Sequence, residues 1–404
     1  MTTFEAGIEH MPLGEPCVVA LMVSIGVTLV AVPVVRRVAI GWSLYDRPDA
    51  GLKSHTKPIP YLGGVGMYLG WLAALGVVTF RSGRVTPALG GIVLAGTVLM
   101  LTGLVDDLRH LRPAVRLVLQ AFAAAILLAF GVGRHVITAI VQPFMTSPSP
   151  GLADHPVMIA LSGLLTVAVL LSASNATNLI DGLDGLCAGV VAVAAAGYAA
   201  FGVGLAPAVG QPAATAVILA VVVTGVCLGF LRYNFHPASI FMGDSGSLLL
   251  GFNAAVLMIL LAEQPVWTGG GPLGRFAGAV MVFGFPVFDT ALAILRRRLN
   301  GKPLFIGDRS HFYDQLRDRG LSVRRTVVIC YGLGFCFGGL GLMAMRLPGW
   351  YLLTAYGLVV VLALLVCRRL GLLRVDNAAE KSKRQNVKTS KFRHGGTSGR
   401  GAGA

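Results

Sequence analysis

Eleven apolar runs leave this chain few ways to fold; they start near Cys17, Tyr61, Pro87, Val115, Pro156, Leu186, Pro212, Gly246, Gly274, Arg324 and Gly349. A bilayer core takes about 20 mostly apolar residues per helix. Inside it every backbone N–H and C=O has to be satisfied internally, which favours helices wherever such runs follow one another. The pattern predicts an all-α polytopic membrane protein with about eleven transmembrane helices. Charge usage agrees, since only 13% of the 404 residues are charged, against roughly 25% in soluble domains.

Residues 1–16 hold Glu5, Glu9 and Glu15 but no Lys or Arg, so they lack the basic segment that opens a cleaved signal peptide. The first span is expected to stay, with the N-terminus outside and residues 1–16 extracytoplasmic. Alternating eleven spans from there puts 28 of the 33 Lys and Arg residues on the inner side and 5 on the outer. This is the asymmetry of the positive-inside rule. It explains the net charge of +15 as orientation in an inner (plasma) membrane and calls for no nucleic-acid partner. Residues 17–367 form one transmembrane domain with cytoplasmic loops. Residues 368–404 mix Lys, Arg, Ser and Gly without apolar periodicity and read as a disordered cytoplasmic tail. The six cysteines lie in or beside apolar runs without a CxxC pair and read as packing residues.

The acids are distributed unevenly. Asp46, Asp49, Asp106, Asp107, Asp181, Asp184, Asp244, Asp308, Asp314 and Asp318 all fall in inner loops or at inner span ends. A site there would be assembled from several helix ends at the membrane surface, a place suited to one water-soluble and one lipid reactant.

Each cluster has a chemical and a structural reading. In GLVDDLRHLRP, the carboxylates of Asp106 and Asp107 at about 4 Å repel by roughly 4 kcal/mol at an effective dielectric near 20; they need a cation, or Arg109 and Arg112 balance them at a helix end. SNATNLIDGLDGL offers Asn175, Asn178, Asp181 and Asp184, which can grip a base or a divalent cation, or equally form Asx turns and a cap. In FHPASIFMGDSGS, Asp244 opens the eighth span, glycines and serines leave room for phosphate, and Phe241 can stack on a base. Residues 243–246 also read GxSG, which would make Ser245 a protease nucleophile. That needs a histidine base in reach, and none of the eight histidines lies inside a span. FIGDRSHFYDQLRDRG joins Arg309 and His311, suited to phosphate oxygens, with Asp308 and Asp314, or is simply a solvated loop. Asp289 lies within the apolar run FPVFDTALAILRRRL and requires a partner or a function; the sequence names neither.

In this order the segments YDRPDAGLKSHTKPIPYLGG, LVDD, NATNLIDGLDGL, FMGDSGS and GDRSHFYDQL resemble the polyprenyl-phosphate N-acetylhexosamine-1-phosphate transferases (glycosyltransferase family 4) over nearly the whole chain. Eleven spans look most like the branch using UDP-N-acetylglucosamine; the phospho-N-acetylmuramoyl-pentapeptide branch typically has ten. The resemblance implies transfer of a sugar-1-phosphate from a UDP-sugar to polyprenyl (undecaprenyl) phosphate, with Mg²⁺ or alternatively Mn²⁺, releasing UMP. This is a first membrane step of cell envelope polysaccharide synthesis. It further implies Asp244 as metal ligand with Asp184 as second candidate, Asp106 and Asp107 near the lipid phosphate, and Asp106 as the usual general base. Lys57, Asn178, Asp181 and Phe241 would face the nucleotide, and Arg309 and His311 the diphosphate or sugar. A homodimer is compatible with the family. Two departures stand out: His311 is followed by Phe312, Tyr313 and Asp314 where the family often has an HxHH-like run, and His110 replaces a frequent third acid.

Elementary chemistry supports such a site. Joining a phosphate to a sugar diphosphate crowds about four negative charges, which a divalent cation and an arginine would neutralise. A phosphomonoester has its second pKa near 6, so the lipid nucleophile is largely ionised and a dedicated base is dispensable. The competing class is an ion-coupled transporter, for which midplane acids, interrupted helices and internal repeats are the signs; Asp289 is the feature in its favour.

Overall fold

The computed structural model describes residues 14–46, 58–83, 85–142, 151–209, 214–263, 271–301, 311–347, 349–369 and 371. Its helices are α1 (Gly14–Gly41), α2 (Gly63–Ser82), α3 (Pro87–Arg109), α4 (Pro113–Ala129), α5 (Val136–Val141), α6 (Pro156–Leu179), α7 (Leu186–Val209), α8 (Ala214–Asn234), α9 (Gly243–Ala262), α10 (Gly271–Val282), α11 (Gly284–Leu299), α12 (Phe312–Asp318), α13 (Val323–Ala344) and α14 (Gly349–Arg369). The sequence reading of an all-α membrane protein holds, with one small addition: β1 (Tyr45–Asp46) pairs antiparallel with β2 (Ile59–Pro60). All eleven apolar runs are helical. Among the described residues eight helices are long and apolar enough to cross a membrane, nine if one bent pair counts as a single span.

That bent pair is the ninth run, which the sequence presents as one span without a break. α10 and α11 meet at Phe283 and diverge by 76°. Pro286 has no N–H to continue the ladder into α10, and Gly284 lets the ring of Phe337 press on the elbow. Elsewhere the helix starts follow local rules. α3, α4 and α6 each open on a proline, Pro87, Pro113 and Pro156, whose missing N–H costs nothing in the first turn. Thr86 caps α3, its hydroxyl accepting the Leu89 N–H at 3.2 Å.

α9 is the axis of the bundle. From Ser245 to Ala262 all of its side chains except that of Leu260 are buried, and α2, α3, α6, α7, α8 and α10 pack around it. α1 is different: Val18, Met22, Val30 and Val34 point outward, as expected of a helix that meets lipid. Hydrocarbon supplies little drive for helices to associate, so close approach by small residues and interhelical hydrogen bonds matter. A side chain at Gly103 of α3 would strike the backbone of Asp244 and Ser245, and one at Gly64 of α2 the backbone of Gly246. Deeper in the core Trp71 Nε1 donates to Asn253 Oδ1 at 2.9 Å. These contacts press α2 and α3 against the start of α9, where the acids gather.

Candidate active site

The helix ends at that pole enclose a cavity of about 750 Å³, walled by Asp106, Asp107, His110, Arg116, Asn178, Asp181, Asp184, Asn234, Phe241 and Asp244 and rimmed by Tyr45, Asp46 and Tyr61 beside the β pair. Among the described residues six aspartates and one arginine line it. The charge is therefore unbalanced by design of the fold: α3, the turn after α6 and the start of α9 each bring acids to one volume.

Arg116 holds the centre. Its Nη1 donates to Asp106 Oδ2 at 2.8 Å and to Asp244 Oδ2 at 2.9 Å, and its Nη2 donates to Asn178 Oδ1 at 3.1 Å. Asn178 Nδ2 in turn donates to Asp244 Oδ1 at 2.7 Å and Ser247 Oγ at 3.0 Å. One turn further along both helices, Asn175 Nδ2 donates to Gln120 Oε1 at 2.8 Å, a second rung that fixes α4 against α6. Asp106 has its other oxygen on the Leu111 N–H at 2.6 Å, made possible because His110 ends α3 in a left-handed conformation (φ 49°), one that histidine adopts more readily than most residues.

Asp107 faces a different task. Its Oδ1 and Oδ2 accept the N–H groups of Asp244 and Ser245 at 2.8 and 3.2 Å, so α3 caps the positive end of α9 with a carboxylate. Gly243 makes that cap fit. It has φ +68°, and a side chain there would run into the Asp107 carboxylate. Ser245 is fully buried and its hydroxyl donates to Met242 O at 3.2 Å, which disposes of the protease reading of GxSG.

In NLIDGLDGL the two aspartates part ways. Asp184 Oδ2 takes His236 Nδ1 at 2.7 Å and the Ala238 N–H at 3.0 Å, tying the turn to the FHPA segment. Asp181 has no such tether among the described residues and feels the negative charges of Asp244, Asp107 and Asp184; burial first, then those neighbours, push its carboxyl well above the usual range. Phe241 lines the cavity as well.

Lys57 and Arg309, the two cations assigned to substrate by resemblance, lie outside the described residues, as does Asp308. His311 is 5% exposed and is not on the cavity wall. Its Nδ1 meets Asp289 Oδ2 at 2.7 Å, and its ring stacks on Tyr313 with centroids 5.5 Å apart. Burial pulls its pKa down, but the hydrogen bond to Asp289 and the charges of Asp289 and Asp314 outweigh that, and the net shift is upward. Asp289 thereby gains the partner that the sequence left unnamed. The residue that sequence reasoning missed is Arg116. It carried a signal: a cation in the first turn of a helix opposes the macrodipole and asks for a compensating acid.

Comparison with known proteins gives the family. A sequence model described as Glycosyl transferase family 4 matches residues 89–262, the stretch from α3 to the end of α9. The chain is 32% identical over 358 residues to a probable undecaprenyl-phosphate N-acetylglucosaminyl 1-phosphate transferase of Bacillus subtilis, covering 88% of this chain and 92% of that protein. It is 35% identical over 348 residues to a decaprenyl-phosphate N-acetylglucosaminephosphotransferase of Mycobacterium tuberculosis, 80% of each. Against a phospho-N-acetylmuramoyl-pentapeptide-transferase of Bacillus thuringiensis it is 29% identical over 339 residues, 80% of this chain and 95% of the relative.

Proposed function

The chain belongs to glycosyl transferase family 4, and from that premise we propose that it moves N-acetylglucosamine-1-phosphate from a UDP-sugar to undecaprenyl or a similar polyprenyl phosphate, releasing UMP at the cytoplasmic face of the inner membrane. The observation that carries the reading is the bridge of Arg116 to Asp106, Asp244 and Asn178 at the floor of an acidic cavity. Higher identity to the two N-acetylglucosamine relatives than to the pentapeptide transferase favours the smaller donor. Eleven spans with the N-terminus outside, inferred from the Lys and Arg asymmetry, bring the cavity to the cytoplasm, where a UDP-sugar would arrive by water and the acceptor by the bilayer.

The donor set fits Mg²⁺. Carboxylate and amide oxygens are the hard ligands it prefers, and it is commonly held by one or two carboxylates plus substrate phosphates. Among the described residues no three acids, histidines or cysteines cluster tightly enough to hold a metal alone, which matches that mode. Asp244 is the first candidate. For the second ligand we favour Asp181 over Asp184, because Asp184 is committed to His236 and Ala238 whereas Asp181 lines the cavity without such a tether among the described residues. When bound, the ion would neutralise developing charge on the transferred phosphoryl group.

The chain's own residues do the rest. Arg116 offers a fixed positive charge to the acceptor phosphate, and Asp106 holds that guanidinium in place, since both of its oxygens are already engaged. Asp106 is then a positioning residue and the ionised lipid phosphate needs no base. Asp107 fixes the start of α9 and with it the Asp244 carboxylate. Phe241, on the cavity wall, offers a ring on which a base would stack. The transporter reading gains the interrupted α10–α11 helix, but Asp289 is spent on His311 and Phe312 and six aspartates gather in the cavity at one pole. The test is UMP release by purified protein in nanodiscs with polyprenyl phosphate, UDP-N-acetylglucosamine and Mg²⁺. Release that persists without the lipid acceptor would overturn the proposal.

A further inference from the structure

Asp289 is fully buried in α11 just past the elbow, and both of its oxygens are used: Oδ2 on His311 Nδ1 at 2.7 Å and Oδ1 on the Phe312 N–H at 2.6 Å. Phe312 stands edge-on to Phe285 and Phe288, so the pair is shut inside an aromatic wrap where hydrogen bonds gain strength from the low local dielectric. The chain of contacts continues outward. His311 lies flat on Tyr313 (10° between rings), and the Tyr313 hydroxyl donates to Leu179 O at 3.1 Å, where α6 gives way to the turn bearing Asp181 and Asp184. Gly182, on the cavity wall, has the Tyr313 ring and hydroxyl where a side chain would go. A buried acid in an apolar span is thus connected, through one stacked pair, to the backbone of the turn that walls the cavity.

We propose that Asp289 is a positioning residue for the nucleotide-sugar donor, acting through His311 and Tyr313 to hold the 179–185 turn, and with it Asp181, in its binding shape. The inference rests on the donor assignment above and extends it to a residue that touches no substrate. An acid kept only for the stability of α11 would need no link to that turn. An acid that positions the turn predicts that donor binding suffers while acceptor binding does not.

The experiment measures KM for the UDP-sugar and for polyprenyl phosphate separately in wild type, Asp289→Asn, Tyr313→Phe and the double variant. Tyr313→Phe leaves the Asp289–His311 pair in place and removes the bond to Leu179, so the test survives if Asp289→Asn folds poorly. Each single variant should raise the donor KM about fivefold or more, the scale of one lost hydrogen bond, with the acceptor KM unchanged within about twofold. The double variant should be no worse than the weaker single, because both changes cut the same chain. Multiplying effects, equal movement of both KM values, or wild-type donor KM in both singles would overturn the inference. A wild-type protein that releases no UMP would sink the donor assignment itself.

Discussion

Arg116 offers the sharpest test of the cavity's electrostatics. One nitrogen lies 2.8 Å from Asp106 and 2.9 Å from Asp244, so replacing it with methionine leaves two carboxyl groups facing each other with no cation between them. Two ionised carboxylates about 5 Å apart at an effective dielectric near 20 repel by about 3 kcal/mol. If that repulsion persists into the transition state, it slows the reaction roughly a hundredfold. Arg116→Met is therefore expected to lower kcat/KM about a hundredfold in a UMP-release assay with purified protein. Arg116→Lys keeps the charge but loses the planar fork that also reaches Asn178, and about a tenfold loss is expected. The internal control is Asp106→Asn placed on Arg116→Met: removing one of the two repelling charges should recover about tenfold. Activity of Arg116→Met within about threefold of wild type, or a double variant slower than Arg116→Met alone, would refute the bridge as the organising interaction.

Asp244→Asn should abolish turnover while melting behaviour stays native; wild-type-like activity in that protein would remove Asp244 as a metal ligand. Gly103→Ala pushes a methyl group into the Asp244 and Ser245 backbone and should cost about 1–3 kcal/mol, read as a lower Tm in detergent; an unchanged Tm would mean that α3 and α9 are not in such close contact. His311 binds its proton more tightly folded than unfolded. Its stabilisation is complete below the ordinary histidine pKa and is lost as pH rises through the elevated one. With Asp289 and Asp314 favouring the charge and Arg297 opposing it, Tm should fall across that window in wild type but not in Asp289→Asn, and equal slopes would contradict the pairing.

The bundle was legible because hydrocarbon leaves helices as the ready solution for long apolar runs, and the site was half legible because acids beside a membrane are costly and rarely idle. Asp106, Asn178, Asp181, Phe241 and Asp244 are indeed brought to one cavity. What escaped depends on contacts between distant segments. The 76° break at Phe283 lies in a run whose mean hydropathy reads as continuous, although Gly284 and Pro286 were in plain view. Arg116 entered the charge count as a topological anchor, and only the folding of α4 against α6 and α9 reveals its three partners. Asp107 looked like half of a reactive pair, yet its oxygens cap a helix that begins 136 or more residues later in sequence. The same holds for Asp184 and His236, and for Asp289 and His311. In NLIDGLDGL the identical spacing of two Asp-Gly pairs conceals two different environments, Asp184 tethered to His236 and Ala238 and Asp181 facing the other cavity acids.

The most direct measurement of the central claim is the identity of the nucleotide product. Purified protein given UDP-N-acetylglucosamine, undecaprenyl phosphate and Mg²⁺ should release UMP in a one-to-one ratio with a lipid carrying a diphosphate-linked sugar, both seen by mass spectrometry, and EDTA should stop both. Release of UDP with a lipid that has gained the sugar but no second phosphate would place the broken bond on the other side of the phosphorus and contradict the account.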